Sequence, residues 1–438
     1  MKKVVQKIAY FLSVLLCGVA IGFVALVLSF CLPEEPMQNQ LRESIPTLTK
    51  YLGTSEMIVG YQSTFDGSFT DGLMLQNAVY DEGHTLFEKA MGIYRNGWEN
   101  DLWYPRETLV EYLNGVATEE YSYARYWHGY LVALKPMLMI FNLEEIYFFN
   151  QIVQALLLLF VVGALVKKNK TKYAVCYGIT YLFLVPIVMP MTLSLSICFY
   201  LYLIINCLQM CLHDKWEEKG WYAYVFLVIG MVTSYVDFLT YPIVTLGIPM
   251  VMYFVLSKGN KIKQMLGKVI VYSITWGIGY VGMWASKWLI GSLVLKENIL
   301  QDAGNTLAQR VDAITYDSRL LSFFSVVWYN MKMYKALPFI LLVLVLFISV
   351  VVLTIKYPAV KSKKQLLLGC LPYLVISTMP FVWYAVALNH SGEHYMFTFR
   401  ALIVTVFAGS CMLMNFFDYN KKNTDEKEKT SEERKNNG

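Results

Sequence analysis

Charge is scarce in this chain. Only 16% of its 438 residues are Asp, Glu, Lys or Arg, whereas a soluble domain carries about 25%. Charges also fail to interrupt the apolar residues, whereas a soluble chain breaks its apolar runs into stretches shorter than about 18. These shortages exclude a soluble enzyme, a nucleic-acid binder and a disordered chain. Histidine is rare, with five copies. No Cys pair has metal-type spacing, and the eight cysteines fall within or at the ends of apolar runs, so they form no disulfide framework. There is no H-E-x-x-H and no D-x-D, and nothing repeats at a fixed period.

What the chain does have is apolar length. A run of about 20 apolar residues spans a bilayer as a helix, because lipid offers backbone amides no partner outside the helix itself. Ile8–Leu32 is uncharged and follows Lys2, Lys3 and Lys7. It is too long for a signal peptide and no A-x-A site follows, so it reads as an uncleaved first span. Further runs at Tyr147–Val166, Tyr173–Leu212 (two spans around Pro186 and Pro190), Trp221–Ser257 (two spans hinged near Thr240–Pro242), Val269–Ile290, Ala336–Ile355, Leu366–Leu388 and Ala401–Phe417 bring the expected total to about ten.

The lysines orient these spans. With both termini in the cytoplasm, the six inner segments hold 23 of the 37 Lys and Arg residues, as the positive-inside rule requires. Pro33–Glu145 lies outside with 17 acidic and 7 basic residues. The expected organisation is therefore residues 1–32 as cytoplasmic N-terminus and first span, and 33–146 as an extracytoplasmic loop with juxtamembrane helices. Residues 147–290 form spans 2–7, 291–335 a second extracytoplasmic segment, 336–417 spans 8–10 and 418–438 a disordered cytoplasmic tail. The fold class is an all-α multi-pass protein of the cell membrane.

Polar residues at unexpected depth are the functional candidates in such a chain. Three clusters and two isolated charges stand out, all toward the outer side. In Phe65-Asp-Gly-Ser-Phe-Thr-Asp-Gly72, Asp71 or Thr70 is either a helix cap or, for Asp71 with Asp66 second, a carboxylate acting as general base or metal ligand. Tyr121-Ser-Tyr-Ala-Arg-Tyr-Trp-His-Gly-Tyr130, with Lys135-Pro136, is either an interfacial aromatic belt or a site where Arg125, His128 and Lys135 meet a phosphate. Asn389-His-Ser-Gly-Glu-His-Tyr-Met-Phe-Thr-Phe-Arg400 puts His390, His394 and Arg400 at the lip of the bundle. Arg400 either snorkels or meets an anion. A divalent metal is an open alternative there, with the zinc-protease order excluded. Asp237 and Lys287 lie inside spans near their outer ends. Asp237 is expected to pair with Lys287 or Arg400, or to bond Ser234, Thr240 or Tyr241.

On these clusters and this layout the chain resembles the GT-C superfamily of polytopic membrane glycosyltransferases. The resemblance lies in a cytoplasmic N-terminus, one span, a long outer loop and then many spans around a polar outer cleft. It implies transfer of a sugar from a polyprenyl-phosphate-linked donor to a glycan or protein acceptor at the extracytoplasmic face, with no nucleic-acid partner. It implies Asp71, then Asp66, as base, with His128 beside them. Arg125, Lys135, Asp237, Lys287, His390, His394 and Arg400 are left to bind substrate or phosphate. The chain departs from the family in the 39 residues separating Asp71 from Leu32, in lacking D-x-D, and in having no large C-terminal soluble domain. A transporter or flippase of a lipid-linked glycan is the rival reading, and a non-catalytic subunit of an envelope-assembly complex is another.

Overall fold

A computed structural model describes residues 2–50, 56–65, 67–81, 83–97, 104–116, 118–257, 262–312, 318–359 and 362–417. Asp66 and the expected tail at 418–438 lie outside the described residues. Helices dominate. Strand pairing within a sheet is confined, among the described residues, to one antiparallel ribbon, Tyr94–Gly97 against Glu119–Ser122.

Seven described helices are long and apolar enough to cross a membrane: Ile8–Ser29, Leu143–Lys167, Leu193–Glu218, Ile262–Leu295, Leu337–Lys356, Lys364–Val386 and Tyr395–Leu413. The chain is thus an α-helical multi-pass membrane protein. The other three expected spans are also helical but shorter: Thr171–Leu182, Tyr222–Val236 and Val244–Leu256. At 1.5 Å per residue, the 13 residues of Val244–Leu256 reach only about 20 Å. Every one of them is buried. This helix sits inside the bundle, where neighbouring helices rather than lipid cover it. Leu337–Lys356 is its opposite, with no buried residue, and lies at the outside of the bundle.

Local chemistry starts the helices. Asn142 and Glu145 form a capping box for Leu143–Lys167, and Ser362 with Gln365 does the same for Lys363–Ser377. Tyr222–Val236 and Ile262–Leu295 approach closely through two glycines. A Cβ on Gly230 would lie 2.0 Å from the Trp276 carbonyl oxygen, and one on Gly279 would lie 2.1 Å from that of Leu227. Small residues let two backbones come this near in a membrane.

The first loop folds into a helical cap. Its helices Glu34–Glu43, Ser68–Val79, Leu86–Gly92 and Pro105–Leu113 surround a second apolar core centred on Met74, Leu109, Trp127 and Leu131. The segment expected to be a second loop contributes Ile299–Val311 and Arg319–Met331 to the same end of the molecule.

Candidate functional site

Where this cap meets the bundle there is a chamber of about 530 Å³. Its walls come from five places in the chain: Phe65–Leu73, Tyr123 with Tyr126, the Phe238–Thr240 turn, Arg310, and the turn carrying His390, Glu393, His394 and Phe397. A groove of about 330 Å³ adjoins it, lined by Trp276, Tyr280, Trp284, Trp288 and Trp383 and roofed by the helix Ile299–Val311. Chamber and groove share Tyr126, Leu239, Arg310 and His390. The groove is mostly apolar, with Arg125, Thr306, Arg310 and His390 as its polar side chains and two buried indole donors, Trp284 Nε1 and Trp383 Nε1, that have no partner among the described residues. The roof helix is tied down by Arg125 Nη1, which donates to Asp302 Oδ2 at 3.1 Å and to Thr306 Oγ1 at 3.2 Å.

The polar end of the chamber has a defined proton arrangement. His390 Nε2 lies 2.7 Å from the Leu239 carbonyl oxygen. A carbonyl only accepts, so Nε2 carries the hydrogen and Nδ1 is left as a bare acceptor. That Nδ1 is buried and unpartnered among the described residues. Leu239 itself has φ 63°, a left-handed conformation unusual for a branched side chain. Arg310 Nη1 donates to His394 Nε2 at 2.8 Å, which places the proton of a neutral His394 on Nδ1. The two imidazole rings are 4.7 Å apart. Burial, then Arg310, pushes His394 down to about 4, and burial, then His394 and Arg310, holds His390 well below the usual imidazole range. Both rings are therefore neutral at pH 7. Arg310 also approaches the Glu393 carboxylate at 3.7 Å, and Glu393 brings the chamber's carboxylate.

Of the residues singled out from sequence, His390 and His394 line the chamber, and Arg125 and His390 line the groove. Thr70 also lines the chamber, Asp66 lies outside the described residues, and Asp71, His128, Lys135, Asp237, Lys287 and Arg400 are elsewhere, each bonded to protein groups. Asp71 is completely buried. Its Oδ2 accepts from Leu193 N at 2.7 Å, and its Oδ1 accepts from Ser194 N at 2.9 Å and Ser194 Oγ at 2.7 Å. Thr192 makes no side-chain cap bond to the helix Leu193–Glu218, so Asp71 caps that helix from 122 residues away. Burial pushes its carboxyl up to about 6 despite those bonds. Asp237 pairs with neither Lys287 nor Arg400. Its carboxylate accepts from Thr240 N at 3.1 Å, Thr240 Oγ1 at 2.5 Å and Cys198 Sγ at 3.3 Å, closing the turn between two helices.

Lys287 and Arg400 fasten the cap to the bundle through backbone carbonyls, and Lys135 ties the cap to itself. Lys135 Nζ donates to Ala78 O at 2.8 Å, with Glu34 at 3.8 Å. Burial lowers its ammonium to about 8. Lys287 Nζ donates to Met91 O at 2.8 Å and Ala90 O at 3.2 Å, at the C-terminus of Leu86–Gly92, where a cation meets unpaired carbonyls. Arg400 donates to Met396 O at 2.9 Å and Ser63 O at 3.3 Å. His128 Nε2 donates to Tyr123 O at 3.0 Å, leaving Nδ1 to accept from Asn77 and Tyr130. Burial keeps its imidazole well below the usual value.

Two chamber residues were not among the sequence candidates, Arg310 and Glu393. Glu393 stands between His390 and His394, where a glutamate between two histidines reads from sequence only as a weak metal-ligand pattern. Arg310 lies on an ordinary amphipathic helix, and no local pattern distinguishes it. Among the described residues no three His, Cys, Asp or Glu side chains group as metal ligands. Comparison with known proteins finds no matching family model, no matching curated protein and no matching solved structure.

Proposed function

We propose that this chain is a membrane glycosyltransferase with about ten spans and both termini in the cytoplasm. It takes a sugar from a polyprenyl-phosphate-linked donor and passes it to a glycan or protein acceptor at the extracytoplasmic face. One observation carries this reading: a chamber with a polar end and a tryptophan-lined groove run together at Tyr126, Leu239, Arg310 and His390. An amphiphile with an anionic head fits that junction, its glycosyl phosphate in the chamber and its first isoprene units along the tryptophans.

In this reading Arg310, steered by Glu393 and His394, binds the phosphate. Glu393 takes the proton of the acceptor hydroxyl as that oxygen bonds to the anomeric carbon. The bond from that carbon to the phosphate oxygen breaks, and polyprenyl phosphate leaves with its charge met by Arg310. The aromatic faces of Tyr126 and Phe397 bound the sugar. Asp71 holds the wall behind Thr70 in place and touches no substrate.

The test uses protein in lipid nanodiscs. Polyprenyl monophosphate should bind and neutral polyprenol should not, and Arg310→Gln should weaken the phosphate form about 10- to 100-fold. Radiolabelled polyprenyl-phosphate hexoses should lose label to an added acceptor. Movement of intact donor across proteoliposomes without loss of label would make the protein a flippase. Neither movement nor transfer, with no phosphate preference, would leave a non-catalytic subunit.

A further inference from the structure

A third cavity, of about 290 Å³, shares no lining residue with the chamber. Arg106 lines it. This arginine is only 6% exposed, and its Nε is buried with no hydrogen-bond partner among the described residues. A buried guanidinium left in this state is costly, because burial removes the water that would otherwise bond it. Its position is enforced by packing. Gly72 has no Cβ, and one placed there would lie 2.9 Å from Pro105 Cβ and 3.0 Å from Arg106 N. The helix Pro105–Leu113 can therefore press against Ser68–Val79 and bring Arg106 up to Asp71, whose ionised form it favours.

The remaining walls indicate what belongs there. Lys50 is exposed at the rim. Glu144 also lines the cavity, but its carboxylate already accepts from Thr47 Oγ1. Tyr147 and Phe148 complete one side. They occupy the first turns of Leu143–Lys167, a helix long and apolar enough to cross the membrane. Phe148 is 65% exposed and Ile152 44% exposed on that helix. The cavity sets one buried cation, Arg106, against the Glu144 carboxylate, carries Lys50 at its rim, and opens onto an apolar surface at the level where a span begins.

We propose that this cavity binds the phosphodiester headgroup of an anionic phospholipid. Arg106 contacts the phosphate, Lys50 closes the rim, and the acyl chains run along Phe148 and Ile152.

Native mass spectrometry and thermal unfolding of the full chain in a neutral detergent test this. The probes are phosphatidylglycerol, phosphatidylcholine of the same chain length, and inorganic phosphate. Wild type should retain phosphatidylglycerol at least about tenfold more tightly than phosphatidylcholine, and Arg106→Gln should abolish that preference. Equal retention of the two lipids, or a preference that survives in Arg106→Gln, would overturn the site. Stabilisation by inorganic phosphate that matches and blocks that of phosphatidylglycerol would assign the site to a free anion and overturn the lipid. If Arg106→Gln does not fold, a photoreactive phosphatidylglycerol on the wild type decides. Adducts at Lys50 or Tyr147–Gln151 support the site, and adducts confined to other segments reject it.

Discussion

A buried charge in this protein is a fastener before it is anything else. Lys135 and Lys287 donate to carbonyls of the first loop, Arg400 to one there and to Met396 O, and Asp71 spends both oxygens on one helix terminus. Each would be costly if left unpaired, which is why single substitutions here act on stability. Asp71→Asn preserves size but turns an amide donor toward the N–H of Leu193 or Ser194, two donors facing each other. The expected outcome is a loss of about 1–3 kcal/mol in thermal or denaturant unfolding, with polyprenyl phosphate still bound by the folded fraction. The pH dependence has a definite sign. Burial raises this carboxyl from 3.8 to about 6. Between those values the folded chain holds a proton that the unfolded chain has lost. Its contribution to stability therefore grows as pH falls from 7 through 6 toward 3.8, and Asp71→Asn should remove that slope. A variant that melts like wild type yet transfers no sugar would put Asp71 in the chemistry instead.

At the scale of elements, the helix pair Tyr222–Val236 and Ile262–Leu295 sets the shape of the groove. Trp276 and Tyr280 flank Gly279 and line that groove, so the spacing of the two backbones fixes where the rings stand. Gly279→Ala would drive a methyl to 2.1 Å from a carbonyl oxygen that belongs to backbone and cannot swing aside. It should cost on the order of 1–3 kcal/mol and weaken polyprenyl phosphate binding as the tryptophans shift. Gly277, whose added Cβ would meet nothing within 4 Å, is the control, and Gly277→Ala should cost less than Gly279→Ala by unfolding midpoint. Elements of this kind are readable in sequence to different depths. Uninterrupted apolar runs announce long helices, because lipid demands them. The interior position of Val244–Leu256 is not announced, since a helix covered by protein and one covered by lipid have the same composition. Nor does Gly279 differ in sequence from Gly277, because what separates them is the carbonyl of a residue some 50 positions away.

The whole molecule repeats that lesson for the site. Its polar end was visible as the His390–Arg400 cluster because a short turn between apolar runs leaves polar groups nowhere else to go. Arg310 and the partners of Asp71 were not visible, because pairing across 84 or 123 residues leaves no trace in a single chain. Charge asymmetry between the two ends of the bundle is the remaining global feature. Lys172 and Lys268 sit at the end away from the chamber, where Lys172 Nζ donates to Met414 O at 3.3 Å and Lys268 Nζ to Glu217 Oε1 at 2.5 Å. The acidic first loop covers the other end. Positive charge resists translocation, so the lysine end should face the cytoplasm and the chamber the exterior. Val59 is 85% exposed on the loop and Lys219 is exposed on the opposite end. On a background with the eight native cysteines replaced, Val59→Cys should react with a membrane-impermeant maleimide in intact cells and Lys219→Cys only after permeabilisation. The reverse pattern would turn the protein over and place the chamber where no extracytoplasmic acceptor could reach it. Labelling of both in intact cells would break the alternation of spans between them, and with it the inner position of every lysine cluster that orients the chain.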